Sequence, residues 1–330
     1  WDPLNDRDYT GLPSFTISSG TSAHDQFSQE FRYSGKINDK LSGVIGAFGL
    51  WQDLRTDPVH TEEAGSAQWR FAQSSTSALW KTPGLFDNFG IKTTYGIKSS
   101  SVALFAQADW AITSKLHILP GIRYNNDTKK ANYSRVTYGG LQTTDPALLA
   151  LKNGVYSNQT FDIDASEGNF SGQLTVQYKF NKNVNAFGTY SLSYKPIGVN
   201  VGGLPTASGR VLTELATVKP EAVSHLEFGV KTKPSANSVL NIVFHNTDIK
   251  DYQTQVQTPE PGVNRGYLAN AERVRVIGLE IDGNIKANNH LSFTGAFAYT
   301  DGKYVKFTNA PVPIEEVGGA QAFKDISGGQ

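Results

Sequence analysis

Side chains able to do chemistry fall into three sets. The tightest is His60, Glu62 and Glu63 in "HTEEAG", one imidazole and two carboxylates within four residues. Such donors hold a metal when a second histidine follows at ligand spacing; none accompanies this one, so a solvated acidic loop is expected. Glu315-Glu316 displays too few oxygen donors for calcium and reads as a loop charge pair. A second set, His225, Glu227, Lys231, His245 and Glu280, shares one side of neighbouring strands in the pattern described below. The third set is scattered: Trp51, Trp69, Arg70, Trp80, Tyr133, Arg135, Tyr138, Lys195, Asn200, Arg210, Tyr252, Gln253, Arg265, Tyr267 and Arg273. Guanidinium groups beside Trp and Tyr bind by charge, cation–π contact and stacking. Bond chemistry has no motif here: there is no Gly-x-Ser-x-Gly elbow, P-loop, dinucleotide fingerprint or HExxH. We therefore expect no enzyme, no catalytic residue, no metal and no cofactor.

The elements that position these residues are strands. In "FSGQLTVQYKFNKNVNAFGTYSLSYKP", Phe170, Gly172, Leu174, Val176, Tyr178 and Phe180 alternate with polar residues, and after Asn181-Lys182-Asn183 the alternation resumes through Tyr190, Leu192 and Tyr194. Successive side chains of a strand point to opposite faces, so this is a hairpin with one apolar and one polar face. The pattern recurs at 101–112 with 116–126, at 225–231 with 240–244, and at 277–282 with 291–300. A fifth pair, 26–37 with 41–52, is less regular, because Val44, Phe48 and Leu50 compete with Ile45, Ala47 and Trp51 for the apolar face. Pro120 would remove a ladder hydrogen bond unless a bulge absorbs it.

Five short connections ("NDK", "TSK", "NKN", "KPSANS", "KANNH") alternate with long ones spanning roughly 53–99, 127–167, 196–221, 251–271 and 302–330. Tight turns at one end of an up-and-down sheet and large loops at the other characterise transmembrane β-barrels. Trp110, Tyr178 and Phe180 fall at the short-turn end, and Tyr124, Tyr190, Tyr194 and Tyr299 toward the other, as two interfacial girdles would require. "DPALLALK" (145–152) reads as one or two helical turns in a long loop, with Leu148, Leu149 and Leu151 packing locally. The expected fold class is all-β, a transmembrane up-and-down antiparallel barrel of which about ten strands are visible, with the polar face toward a wet lumen.

Composition agrees. The 330 residues carry 30 Lys+Arg and 30 Asp+Glu, so no basic excess points to nucleic acid. There is no Cys, as suits passage through an oxidising compartment, and no Met; the chain, opening at Trp1, reads as an internal piece. No run approaches the ~20 apolar residues of a membrane helix.

"YSLSYKPIGVN" (190–200), "VKPEAVSHLEFGVKTK" (218–233), "LNIVFHNTDIKDYQ" (240–253) and "NRGYLANAERVRVIGLEIDG" (264–283) resemble the barrel half of TonB-dependent outer-membrane receptors. The likeness rests on Lys219-Pro220-Glu221, Glu227-Phe228-Gly229-Val230-Lys231, Phe244 to Tyr252, Asn270-Ala271 and Gly278-Leu279-Glu280, and extends loosely to "QFSQEFRYSG" (26–35) and "DISGG" (325–329). It implies residues 1–330 as part of one barrel domain of about 22 strands, with the plug and closing strands outside this sequence. It implies a multi-pass protein of a Gram-negative outer membrane, surrounded by lipid and lipopolysaccharide and worked by the TonB complex through the plug. The cargo implied is a scarce small molecule, a ferric siderophore first, whose anionic charge and aromatic chelating groups would suit the Arg, Trp and Tyr residues of the loops. A passive porin and a surface β-sandwich adhesin are the alternatives, with a barrel enzyme more distant.

Overall fold

Every region of apolar–polar alternation becomes a strand in the computed structural model, which describes residues 4–5, 18–56, 59–63, 78–207, 210–257, 266–312, 316, 321 and 323–329. Ten long strands follow one another: β1 (Ser22–Asn38), β2 (Leu41–Thr56), β3 (Gly90–Ala111), β4 (Leu116–Tyr138), β5 (Gln159–Asn181), β6 (Val184–Lys195), β7 (Glu221–Thr232), β8 (Ser238–Gln257), β9 (Gly266–Lys286) and β10 (Ser292–Lys306). Each pairs antiparallel with its sequence neighbours, and among the described residues β1 and β10 do not pair with each other, so the sheet stays open. No helix among the described residues is long and apolar enough to span a membrane.

Residues opposite one another in an antiparallel ladder share a face. Leu104 faces Tyr124, which faces Phe170. Phe228 faces Phe244, Leu279 and then Tyr299 across β7 to β10. These large apolar side chains stand in the open, Phe170 at 71% and Leu104 at 67% exposure. So broad an exposed apolar surface would be untenable in water, and its natural solvent is hydrocarbon. Rings close it off toward the long-loop end, where Tyr124 lies 4.8 Å from Phe170 and Phe27 stacks on Trp51 at 5.9 Å. At the short-turn end Tyr178 and Phe180 meet edge-on at 4.8 Å.

The ambiguity of the first hairpin resolves in favour of Ile45 and Trp51 for the outer face. Phe48 turns inward instead, where the Arg123 guanidinium lies 5.3 Å from its ring centre and 5.6 Å from that of Phe105. Pro120 needs no bulge. Register is the same on both sides of it, from Gln107↔Gly121 to Trp110↔Ile118, while the pairs between are lost and the ladder to Leu174 holds.

The long connections are shorter than the sequence suggests. β4 and β5 each run for 23 residues, about twice the ~9–11 a membrane crossing needs, so residues assigned to loops continue the wall into water. The 139–158 connection carries α1 (Pro146–Val155), begun by Pro146 and capped by Asp145, whose carboxylate accepts from Ala147 N at 2.8 Å. Leu148 and Val155 bury against Leu85, Phe86, Phe89, Ile91 and Tyr156, with Leu151 alongside; Leu149 points to solvent instead of packing. Lys152 donates to Leu141 O at 2.9 Å and sits 5.0 Å over the Phe89 ring, and burial pushes its ammonium below the usual lysine range. Gly139 (φ 68°) closes this unit: a Cβ there would lie 1.9 Å from Asn88 O, so no other residue fits.

Candidate functional site

The inner face carries a different chemistry. Near the short turns His117 Nδ1 lies 2.7 Å from Asp109, and Thr175 and Thr189 share a hydrogen bond at 2.9 Å. Higher up, Glu227, His245 and Gly278 form one rung, with His225 and Thr247 on the next. His225 Nδ1 contacts Thr247 Oγ1 at 2.8 Å, its Nε2 lies 3.5 Å from Glu227, and its ring stacks on His245 at 5.9 Å. His245 reaches toward Glu280 at 3.9 Å, and its Nδ1 is buried without a partner. Lys231 covers the Phe187 ring at 5.5 Å. The second chemical set therefore gathers on one inner patch. Two glycines make room for it: a Cβ on Gly278 would sit 2.1 Å from His245 Nε2, and one on Gly229 would sit 2.4 Å from the Phe187 ring.

Nearer the mouth, on the inner side, stands a ring of charge that alternation did not mark. Asp127 accepts from Tyr194 Oη at 2.5 Å, so Tyr194, expected in the outer girdle, turns its hydroxyl inward, and Lys195 Nζ pairs with the buried Glu221 at 3.0 Å. Burial pushes the Lys129 ammonium below the usual lysine range, although Asp127 and Glu167 pull it up. At this height the outer face is polar and the loop covers the inner one, so the apolar residues that alternate here, Phe161, Ile163 and Ala165, lie on the face opposite to the lipid-facing set.

Across this ring lies the 196–220 loop, strapped to the inner face by buried amides. Ile197 N donates to Glu167 at 2.8 Å. Gln159 meets the backbone of Leu204 twice, Nε2 donating to its carbonyl at 2.8 Å and Oε1 accepting from its N–H at 2.9 Å. Asn200 does the same for Leu268 of β9, at 3.0 and 2.8 Å, and also donates to Leu215 O. Gln253 Nε2 donates to Pro196 O and Lys219 O, while its N–H donates to Glu221 at 2.8 Å. Asn270 exchanges two hydrogen bonds with the Lys219 backbone. Under the loop Tyr133 stacks on Phe161 at 4.9 Å, and Leu204 is wholly enclosed with Ala131, Ile163 and Ala216. Arg135, 1% exposed, donates Nε to Ser157 O at 2.8 Å. Gly203, at φ 95°, is the glycine this crossing requires, since a Cβ would meet Arg135 Nη1 at 2.5 Å and Tyr133 Oη at 3.1 Å.

The third set is thus divided. Tyr133, Arg135, Asn200 and Gln253 fasten the loop, and Trp80 stacks on Phe86 at 5.9 Å in the α1 unit. Tyr252 joins Ala271, Val274 and Phe307 in a third apolar cluster, and Tyr267 is buried. Lys195 and Arg210 keep their charged heads in solvent, Arg210 pairing with Glu214 at 2.8 Å and holding that carboxylate down at about 2. Trp51, a candidate for ligand contact, stands instead on the outer wall opposite Phe27. Tyr138 lies under Lys92 at 5.6 Å, and Arg273 is locked to Asp248 by hydrogen bonds of 2.6–2.9 Å. Trp69, Arg70, Arg265 and Glu315 lie outside the described residues, as do the side chains of His60, Glu62 and Glu63, whose backbone forms a strand against Gly90–Thr93. Glu316 pairs with Lys324 at 2.9 Å. The sequence reading missed Gln159, Glu167, Asp127 and Asn270; a side-chain amide or carboxylate placed to satisfy loop backbone carries no local pattern.

A wall apolar outside, polar inside, and covered at its mouth by an inward loop has counterparts among solved structures. The ferric yersiniabactin uptake receptor FyuA from Yersinia pestis matches with a TM-score of 0.64 at 16% identity, over 88% of this chain and 37% of that one. The siderophore receptor PiuA from Acinetobacter baumannii matches with a TM-score of 0.57 at 16% identity, over 94% of this chain and 41% of that one. The chain spans less than half the length of either. A family model for the TonB dependent receptor-like beta-barrel matches residues 2–319. The chain belongs to the TonB-dependent receptor family, as part of its transmembrane β-barrel.

Proposed function

We propose that this wall belongs to a receptor of a Gram-negative outer membrane that imports a scarce ligand, a ferric siderophore, into the periplasm. One observation carries the reading: the 196–220 loop crosses the inner face of a wall whose other face is apolar, held by Gln159, Asn200 and Gln253. A loop so placed narrows the mouth and offers ligand a surface, as selective capture requires and free diffusion does not. Lys195 and Arg210, with Trp69, Arg70 and Arg265 outside the described residues, would meet an anionic, ring-bearing ligand. The patch of His225, Glu227, Lys231, His245 and Glu280 would face the plug and the path that opens beside it. The plug, the TonB contact and the remaining strands belong to the whole receptor, of which residues 1–330 form one part of the barrel domain. The two structural relatives named above, a ferric yersiniabactin uptake receptor and a siderophore receptor, support the choice of cargo.

A deletion strain complemented with the intact receptor and grown on a panel of iron chelates, cobalamin and glycans tests this. Growth restored by one class of ferric chelate is the expected result. Restoration by a glycan alone would overturn the iron assignment and leave the barrel standing.

A further inference from the structure

A lysine stands in or beside each of the five short turns: Lys40, Lys115, Lys182, Lys233 and Lys286. Above the first two the outer wall is hollow, and we propose that this hollow and these two ammonium groups bind an anionic phospholipid of the periplasmic leaflet. This rests on the receptor reading, in which the outer face meets lipid and the short turns face the periplasm. The hollow holds about 540 Å³, with Tyr33 and Ile37 on one side and Pro120 and Ile122 on the other. Its floor is glycine and alanine: Gly35 lies opposite Gly43, Gly43 opposite Ala108, and Ile45 opposite Ala106. Farther along the same height Pro120 faces Leu174 and Leu174 faces Tyr190, so the hollow closes there. Gly43 and Ile45 follow Lys40 by three and five residues, roughly 7–12 Å above it at ~3.4 Å per residue and a ~45° tilt. That depth is hydrocarbon, where an acyl chain fills the hollow and gains contacts that a flat wall would not give it.

The headgroup follows from the charge below the hollow. Main-chain hydrogen bonds tie the turns into one row, Ala111 N donating to Lys40 O and Lys179 N to Lys115 O, both at 2.8 Å. Neighbouring turns of that row stand two strands apart, about 10 Å. The one acid within the five turns is Asp39. At the strand ends just above, Lys36, Lys179 and Lys231 alternate toward the lumen, as do Asp109 and Asp282. Asp109 is taken up by His117 at 2.7 Å, and Asp282 accepts from Asn241 at 2.9 Å. The ion-paired lysines among the described residues, Lys130, Lys195, Lys219, Lys303 and Lys324, all stand toward the mouth. Over the whole chain 30 basic residues balance 30 acidic ones, so the excess is local to the short-turn end. Lys40 and Lys115 are exposed, and the half-exposed Trp110, opposite Leu41, marks the headgroup level between them. Ammonium groups at that level receive a phosphodiester as point charges. A zwitterionic headgroup would bring an amine that needs acids, and only Asp39 is there to meet it, so the occupant is anionic.

The test is native mass spectrometry of the intact receptor in detergent, with phosphatidylglycerol, phosphatidylethanolamine of the same acyl chains, and glycerol phosphate as separate probes. Phosphatidylglycerol should bind, and Lys40→Gln with Lys115→Gln should weaken it about twenty-fivefold, near a factor of five for each cation. Ala108→Leu fills the floor of the hollow and should weaken it about tenfold, the loss of roughly ten carbon contacts. Lys233→Gln, on the same rim but more than a Debye length from the hollow, should leave binding within about twofold. Faster migration of unheated protein on a gel confirms each variant as folded; if the double variant fails this, Lys40→Gln alone is read, with a loss near fivefold. Equal binding of phosphatidylethanolamine, an unchanged double variant, an unchanged Ala108→Leu, or full displacement by millimolar glycerol phosphate would overturn the proposal. A loss at Lys233→Gln as large as at Lys40→Gln would also overturn it, leaving a diffuse attraction in place of a site. Loss of heat-dependent migration in the unmodified protein would instead overturn the barrel itself.

Discussion

Leu174→Arg is the substitution most exposed to the claim that one face of this sheet is dissolved in lipid. Leu174 lies opposite Pro120 and Tyr190 on the outer face of β5. It stands seven residues from Asn181, where β5 ends at the short turn. At a rise of ~3.4 Å per residue and a tilt of ~45°, that is about 17 Å above the turn, close to the middle of an apolar band ~25 Å tall. An arginine there costs about 2–4 kcal/mol, which shifts the folding equilibrium roughly thirtyfold to several hundredfold. Gln173→Arg, one residue away on the lumen face, should change stability by no more than about 0.5 kcal/mol. Phe170→Arg, four residues nearer the mouth, should carry a charge cost of only about 0–1 kcal/mol although Phe170 is the larger side chain. Urea titration of the intact receptor folded into phospholipid vesicles, followed by heat-dependent gel migration, reads all three. A protein core would not grade the cost by depth. Equal penalties at 173 and 174, or at 170 and 174, would refute the reasoning.

Gln253→Ala removes both donors that hold Pro196 O and Lys219 O, and should cost about 1–3 kcal/mol and admit protease to the 196–220 loop, as mass mapping of limited digests would report. Gly278→Ala forces His245 from its place over the glycine, so histidine NMR shifts of His225 and His245 should move together, while Gly295→Ala, with open space around it, should move neither. Burial raises the Glu272 carboxylate, but hydrogen bonds from Thr308 and the attraction of Lys306 outweigh it and leave the group below its ordinary 4.5. A carboxylate depressed on folding contributes stability above its unfolded value and loses it as pH falls through the folded one. Thermal melts should therefore weaken below about pH 4.5, and Glu272→Gln should flatten that part of the profile.

The membrane-crossing half of the fold was legible because lipid imposes period two. Wherever hydrocarbon touches the sheet, as from Phe170 to Phe180, one residue in two must be apolar, and the hairpins and their short turns follow. Beyond Asn126 and before Gly168 the same strands are clear of lipid, with a polar outer face and an inner face covered by the 196–220 loop, so Lys129-Lys130 and Asp162 to Glu167 read as loop although they are paired throughout. The inner patch was legible for the same reason, since His225, Glu227, His245 and Glu280 sit between apolar residues whose direction is fixed. The loop anchors were not. Asn200 and Gln253 were singled out as groups that might meet a ligand, and nothing local says that their amides complete the backbone hydrogen bonds of Leu268, Pro196 and Lys219. That pairing depends on residues 34 to 68 positions apart.

The most direct measurement is site-directed spin labelling, which the absence of cysteine from these 330 residues favours. Single spin-labelled cysteines placed one at a time from Phe170 to Phe180 in the bilayer-embedded receptor report collisions with oxygen, which concentrates in lipid, and with a water-soluble nickel chelate. Oxygen should dominate at Gly172, Leu174, Val176 and Tyr178, and the chelate at Ser171, Gln173, Thr175 and Gln177. Uniform low collision rates with both reagents at Leu174 and Val176 would place a layer of packed polypeptide there and contradict the account.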